Sequence, residues 1–196
     1  MGENLVSDTD TAIAGIQTTV TDSNYIFAAR WLPISYEVTY VSSGSTAPTQ
    51  SSLNTSEIFS IGSAVSKTGY TFGGWNTQAD GLGTTYAAGA NYTTNAGITL
   101  YAKWNINTYT VTYNGNSNTG GTVPSDQTKT YGVDLTLASN SGSLVRTGYT
   151  FDGWYTTSTG SSGTAYAAGT GTYSANAGIT LYAKWNPNTY TLTYDG

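Results

Sequence analysis

Histidine and cysteine are absent from this chain of 196 residues, and charge is scarce, with 6 Lys and Arg against 11 Asp and Glu and a net charge of −5. Without His the commonest general base and metal ligand is missing, so the abundant serines have nothing to activate them as nucleophiles. Without Cys there are no thiol nucleophiles, disulfides or zinc–thiolate sites. The missing disulfides do not argue for the cytosol, because small β-modules on bacterial surfaces often use neither Cys nor metal. The acidic balance argues against a nucleic-acid partner, which calls for a basic patch. No apolar run reaches the roughly 18 residues of a membrane span. The opening MGENLVSDTD has neither a basic nor a long apolar region and does not read as a signal peptide. The carboxylates Asp80, Asp126, Asp134 and Asp152 are spread out. They form neither an Asp-x-Asp-x-Asp calcium loop nor a recurring pair suited to glycoside hydrolysis. No catalytic residue, metal ligand or cofactor is expected, and no enzyme.

What the chain does have is aromatics and repetition. It carries 17 Tyr and 5 Trp, and large rings build a core from few residues. ITLYAKW occurs at Ile98–Trp104 and again at Ile179–Trp185, with a blurred copy, YIFAARW, at Tyr25–Trp31. YEVTY at Tyr36–Tyr40 returns as YTVTY at Tyr109–Tyr113 and YTLTY at Tyr190–Tyr194. GYTFGGW at Gly69–Trp75 returns as GYTFDGW at Gly148–Trp154, and TTYAAG at Thr84–Gly89 as TAYAAG at Thr164–Gly169. The order never changes. From Tyr36 to Trp104 is 68 positions and from Tyr109 to Trp185 is 76, and six of the eight extra positions precede GYTF. Insertion in loops with fidelity in the motifs marks tandem units. Two complete repeats are expected, at 33–104 and 105–185. Residues 1–31 read as the last part of a preceding repeat and 186–196 as the first strand of a following one.

The local pattern is β. Ile179, Leu181, Ala183 and Trp185 alternate with Thr180, Tyr182 and Lys184, as in a half-buried strand. Tyr109, Val111 and Tyr113 alternate with threonines, and Tyr131, Val133, Leu135 and Leu137 are expected to do the same. Gly153, between Phe151 and Trp154, reads as a bend or bulge. NGNSNTGG, STGSSG and ADGLG are turn chemistry. Helical periodicity is nowhere convincing; at most a short helix or turn is expected near Leu144–Arg146 or Tyr166–Ala168.

The combination of Tyr-x-Val-Thr-Tyr, a Gly/Asn-rich loop, Gly-Tyr-x-Phe-x-Gly-Trp and Leu-Tyr-Ala-Lys-Trp resembles the Listeria–Bacteroides repeat family, to which the B-repeat of internalin B belongs. The resemblance covers nearly the whole chain. It implies a mainly β chain of tandem, small β-grasp-like modules arranged in an elongated series, outside the cell on the bacterial surface. It further implies a structural role as stalk, spacer or fibre subunit, or an adhesive one binding glycan or host protein through exposed Tyr and variable loops. Two departures stand out. A Ser-rich loop, Val41–Ser52, replaces the usual Gly-Gly, and Gly73 stands where the second repeat has the acidic Asp152.

The structural motif is expected to rest on Trp75, Trp104, Trp154, Trp185, Phe72, Phe151, Tyr70 and Tyr149. Periodic apolar positions are packing positions, so a core is preferred here over a sugar-stacking platform. Tyr101 and Tyr182, on the opposite strand face, are expected to be exposed. Lys103 and Lys184 recur and raise the idea of a Lys–Asn isopeptide bond. That bond needs a buried Lys and a nearby acid, and no Glu recurs, so solvated lysines whose stems cover Tyr rings are expected instead. Asp152 is expected to bond its own turn backbone. The partners expected are neighbouring repeats and possible self-assembly, head to tail, with Tyr190, Leu192 and Tyr194 as a donated strand. The short links Trp104–Asn107 and Trp185–Asn188 imply a semi-rigid rod, stiffened at Pro187.

Overall fold

A computed structural model of the chain describes residues 34–49, 51–54, 58–160 and 162–196. The copy of the repeated phrase at Tyr25–Trp31, and with it the part-repeat at 1–31, lies outside the described residues. Among the described residues there is no helix. The chain forms β1 (Ser35–Val41), β2 (Ser51–Asn54), β3 (Phe59–Ser60), β4 (Tyr70–Asn76), β5 (Thr85–Tyr86), β6 (Asn91–Tyr92) and β7 (Ile98–Ile106). The same series then recurs as β8 (Thr108–Asn114), β9 (Gln127–Thr130), β10 (Leu135–Thr136), β11 (Tyr149–Tyr155), β12 (Ala165–Tyr166), β13 (Thr172–Tyr173) and β14 (Ile179–Pro187).

Each series builds one five-stranded sheet and one two-stranded ladder. The sheets run β2-β1-β7-β4-β5 and β9-β8-β14-β11-β12, and the ladders are β3-β6 and β10-β13. In both sheets the first long strand lies parallel to the last one, with Tyr40 opposite Leu100 and Tyr113 opposite Leu181. The remaining pairs are antiparallel. The YTVTY and ITLYAKW phrases therefore sit side by side at the sheet centre, which is why their alternation is the cleanest in the chain. Val111, Tyr113, Leu181 and Ala183 are buried, while Thr110 and Thr180 face solvent.

Two separate cores result. The first gathers Val38, Tyr40, Ile61, Trp75, Tyr92 and Leu100. The second gathers Val111, Tyr113, Leu137, Leu144, Trp154, Tyr173, Leu181 and Ala183. Leu144 enters the second from a turn, not a helix: Val145 bridges Gly120, and Ser143 N donates to Asn140 O at 3.2 Å. Tyr166 likewise belongs to a short strand.

The expected alternation from Tyr131 to Leu137 fails at its start. Gly132 takes a left-handed φ of 69°, and Val133 N donates back to Thr130 O, closing a turn. Val133 is left 57% exposed and strand geometry resumes only at Leu135. Gly153 does interrupt its strand. The register of β11 against β14 shifts between Phe151 and Trp154, and Gly153 has φ 108°. The equivalent shift in β4 lies between Phe72 and Trp75.

Candidate functional sites on the repeated sheet

The bulge exists to aim an indole. One extra residue turns Trp154 inward onto Tyr113, their ring centroids 4.6 Å apart. Trp154 Nε1 donates to Ala138 O at 2.7 Å, and the Tyr113 hydroxyl accepts from Ala138 N at 2.9 Å. Repeat one has the same clip: Tyr40 and Trp75 rings lie 4.8 Å apart, Trp75 Nε1 donates to Gly62 O at 3.0 Å, and the Tyr40 hydroxyl accepts from Gly62 N at 2.7 Å. A phenol and an indole thus grip one residue of an otherwise irregular loop and satisfy both of its backbone polar groups. Burial pushes both phenols up from their usual value.

From each clip the aromatics continue edge to face. Phe72 meets Trp75 at 5.3 Å and Trp104 at 5.7 Å; Phe151 meets Trp154 at 5.3 Å and Trp185 at 5.6 Å. Trp75 and Trp154 are fully buried, while Trp104 and Trp185 are half-buried. Tyr70 and Tyr149 sit at the outer end of the row, each with a cation over its face: Lys67 4.4 Å from the Tyr70 centroid and Arg146 4.1 Å from that of Tyr149. Tyr101 and Tyr182, expected to be exposed, are instead half-buried. Tyr190, Leu192 and Tyr194 are 84%, 74% and 84% exposed, although the same alternation in β8 builds a core.

The two repeats differ at the rim of this row. Asp152 bonds across the sheet, not to its own turn as expected: its Oδ2 lies 2.8 Å from Lys184 Nζ, both side chains standing on one face of the β11–β14 pair. Lys184 also lies 5.5 Å from the Tyr155 ring centroid, so its position over a Tyr ring matches expectation. With Gly73 in place of an acid, Lys103 reaches only Gly81 O, at 3.4 Å. Neither recurring Lys is buried. The buried one is Lys129, which sequence reasoning passed over; its Nζ donates to Thr130 O at 2.8 Å and to Asn176 Oδ1 at 3.2 Å. Asn76 was also passed over. It is fully buried, and its amide donates to Gly83 O at 2.9 Å and Thr85 Oγ1 at 2.8 Å while its oxygen accepts from Gln78 N and Gly83 N.

The Asp152–Lys184 pair sets a direction for pH. The hydrogen bond from Lys184, then that from Asn186, holds the Asp152 carboxyl below its ordinary 3.8. The hydrogen bond to Asp152 and its charge raise Lys184 above 10.5. A depressed carboxyl stabilises the fold above its ordinary value, and the gain is lost as pH falls through the lower folded value. A raised amine stabilises below its ordinary value, and the gain is lost as pH rises through the folded one. Urea midpoints of wild type and Asp152→Asn should therefore differ slightly at neutral pH and converge as pH falls through the lowered carboxyl value. The difference is small because the pair is exposed. A gap that persists undiminished at low pH rules out the ion pair as its source.

Where the repeats meet, Asn107 stitches one to the other. Its N donates to Gly69 O at 2.9 Å and its carbonyl accepts from Tyr131 N at 2.9 Å, while Thr71 Oγ1 donates to Asn107 Oδ1 at 2.7 Å. The Tyr131 ring lies against Gly69 so closely that a Cβ there would overlap it. At the far end of repeat two the same stitch recurs, Asn188 N to Gly148 O at 2.9 Å and Thr150 Oγ1 to Asn188 Oδ1 at 2.7 Å. Nothing lies within 4 Å of a Cβ placed on Gly148.

The family model of the Listeria-Bacteroides repeat domain matches this chain twice, at residues 36–103 and 109–184. The chain belongs to the Listeria-Bacteroides repeat family. The two matched segments begin at the first Tyr of β1 and β8 and end within β7 and β14, so each contains the whole clip and stops one residue short of Trp104 or Trp185. Relatives include a protein of Evansella cellulosilytica named as a Gly-rich membrane protein, 38% identical over 157 residues, covering 71% of this chain and 17% of that protein. A second from that organism, named as a membrane protein, is 29% identical over 90% of this chain and 26% of its own length. Internalin H of Listeria monocytogenes is 34% identical over 71% of this chain and 23% of its own length. The chain therefore spans about a quarter or less of each of these relatives.

Proposed function

We propose that this repeat-family chain is a structural, non-catalytic segment of a bacterial cell-surface protein, a spacer whose successive modules are held at a fixed angle. The Tyr131–Gly69 contact carries this reading. A flexible linker would leave neighbouring modules free, whereas here Asn107 is bonded on both sides and a ring from the second repeat closes onto a glycine of the first. Modules of some 70–80 residues lie near the lower limit for a self-sufficient core, so neighbour contacts add useful stability. Relatives named as membrane proteins and an internalin support a place at the cell envelope or surface. Taking the repeats as 33–104 and 105–185, the central parallel strand pair flanked by antiparallel partners supports reading each as β-grasp-like.

Glycine substitution tests the fixed angle with a control built into the repeat. Gly69 and Gly148 both have φ 79°, so Ala imposes equal backbone strain at either. Only at Gly69 does it also strike Tyr131. Because the chain has no Cys, spin labels can be placed on Thr93→Cys and Ser125→Cys, both exposed positions, one in each repeat. Wild type and Gly148→Ala should give one narrow distance distribution by pulsed electron paramagnetic resonance, and Gly69→Ala a broad one. A broad distribution already in wild type would remove the fixed-angle spacer.

A further inference from the structure

Repeat two plugs a hole that repeat one leaves open, and we infer that the open one is a binding site for an acetamido sugar. In repeat two the loop after Tyr113 turns through Asn116 and Ser117, at φ 48° and 67°. This drops Asn116 onto the sheet, where its Nδ2 donates to Ala183 O and to Ser158 O, both at 2.9 Å. The preceding carbonyl, Gly115 O, accepts from Trp185 Nε1 at 3.0 Å. The plug thus supplies amide donors to two backbone carbonyls and an acceptor to one indole.

In repeat one the residue three after the clip Tyr is Ser43, which has no carboxamide. Trp104 Nε1, the counterpart of Trp185 Nε1, is shielded from solvent and has no hydrogen-bond partner. Ala102 is only partly buried where its counterpart Ala183 is fully buried. A cavity of about 280 Å³ occupies the place, bounded by Ser43, Ala79, Ala102 and Trp104, with Gln78, Asp80 and Lys103 also lining it. Ala79 stands four residues after the clip Trp, as Ser158 does in repeat two. The counterparts of the two residues whose carbonyls hold Asn116, Ala102 and Ala79, therefore line a cavity in the other repeat, beside an indole N–H that is closed to water and lacks an acceptor.

The chemistry that completes this wall is a secondary amide, whose N–H serves the Ala79 or Ala102 carbonyl and whose C=O meets the Trp104 N–H as the chain that shields it gives way to the ligand. Nothing selects a charged ligand, since Asp80 and Lys103 line the cavity together. Both can serve hydroxyls instead, and the long Lys103–Gly81 bond is readily exchanged. The volume exceeds what one carboxamide fills and approaches the lower end of small-molecule sites, roughly 300 Å³. An N-acetylhexosamine residue carries the amide, the hydroxyls and that size. This site does not rest on the spacer reading; a rigid spacer without it, or a flexible one with it, are both physically consistent.

The test is titration of the full chain, with its tryptophans labelled with nitrogen-15, followed at the indole N–H resonances. N-acetylglucosamine should move the Trp104 signal saturably and leave Trp185 in place; glucose should move neither. Replacing Val41–Ser45 by the Asn-Gly-Asn-Ser-Asn run found at 114–118 should install the plug and abolish the response, with the Trp75 signal reporting an intact clip. Trp104→Phe, which keeps a ring and removes the N–H, should weaken binding about fivefold or more, read on the neighbouring Ala102 amide in uniformly nitrogen-15-labelled chain. The proposal fails if Trp104 stays unmoved into the tens of millimolar, or if glucose acts as well as N-acetylglucosamine. It fails too if the loop exchange leaves binding intact, or if a glutamine-containing peptide moves Trp104 while the sugar does not.

Discussion

Replacing Trp154 with Ala should unfold the second repeat while leaving the core of the first intact. Trp154 is fully buried against Tyr113 and Phe151 and is the largest side chain of its cluster. Truncating a buried Trp costs about 3–5 kcal/mol, from lost transfer free energy and the cavity left behind. The loss of its bond to Ala138 O adds to this, since that carbonyl sits under the same loop. A domain of this size has only about 0.05–0.15 kcal/mol of net stability per residue, so the substitution removes most or all of the margin. Trp154→Phe separates the two terms. It keeps an aromatic ring beside Tyr113 and forfeits the N–H, and should cost distinctly less. Trp104→Ala, at a half-buried indole with no hydrogen bond to lose, should cost least. Urea unfolding followed by the Trp75 indole signal for the first core and the Trp185 signal for the second resolves the two. Equal losses from Trp104→Ala and Trp154→Ala would mean that the buried clip does not hold the repeat together.

The sheet was legible because its central strands obey a period of two, and the same phrase is printed twice. Leu181, Ala183, Val111 and Tyr113 could be assigned to one face from their spacing alone, and the Gly153 bulge from a glycine set inside an aromatic run. What could not be read are the contacts made across long stretches of chain. Lys129 sits in QTKT, where Thr and Gln neighbours suggest a solvated strand. Its burial depends on Asn176, 47 residues away, whose oxygen also accepts from Gly132 N at 2.8 Å. Asn176 belongs to the repeated NAG turn before ITLYAKW, so only its recurrence hinted at a role. Asp152 reads as a turn residue because a glycine follows it; the strand register that sets it beside Lys184 is a tertiary fact. By its spacing Tyr131 reads as one more alternating strand residue. Gly132 turns the chain there and frees the ring for the neighbouring repeat. The Asn116 plug was hidden in a loop whose composition reads only as flexible. Its importance comes from left-handed φ values that Asn tolerates better than most residues.

Gly153→Ala should rank beside Trp154→Ala in cost, for a reason that no contact made by Gly153 itself would suggest. At φ 108° a residue with a Cβ is strained by about 1–3 kcal/mol. In addition, the new methyl would stand 2.5 Å from Tyr166 O and 3.5 Å from its carbonyl carbon. That carbonyl belongs to β12, which pairs with β11 at Trp154 and Tyr166. The strand cannot give way without releasing the Trp ring it flanks, or else the bulge must flatten. Flattening slips the register by one residue and turns Trp154 toward solvent. Either response dismantles the clip with Tyr113 and Ala138. Gly160→Ala is the control, since Gly160 has φ 66° and open space where a Cβ would go, so it carries strain alone. Thermal unfolding of the two variants should therefore separate clearly, with Gly153→Ala losing its Trp154 indole signal at temperatures where Gly160→Ala retains it. Equal melting temperatures would mean that the β12 carbonyl moves aside freely, and that the bulge tolerates any residue whose left-handed φ can be met.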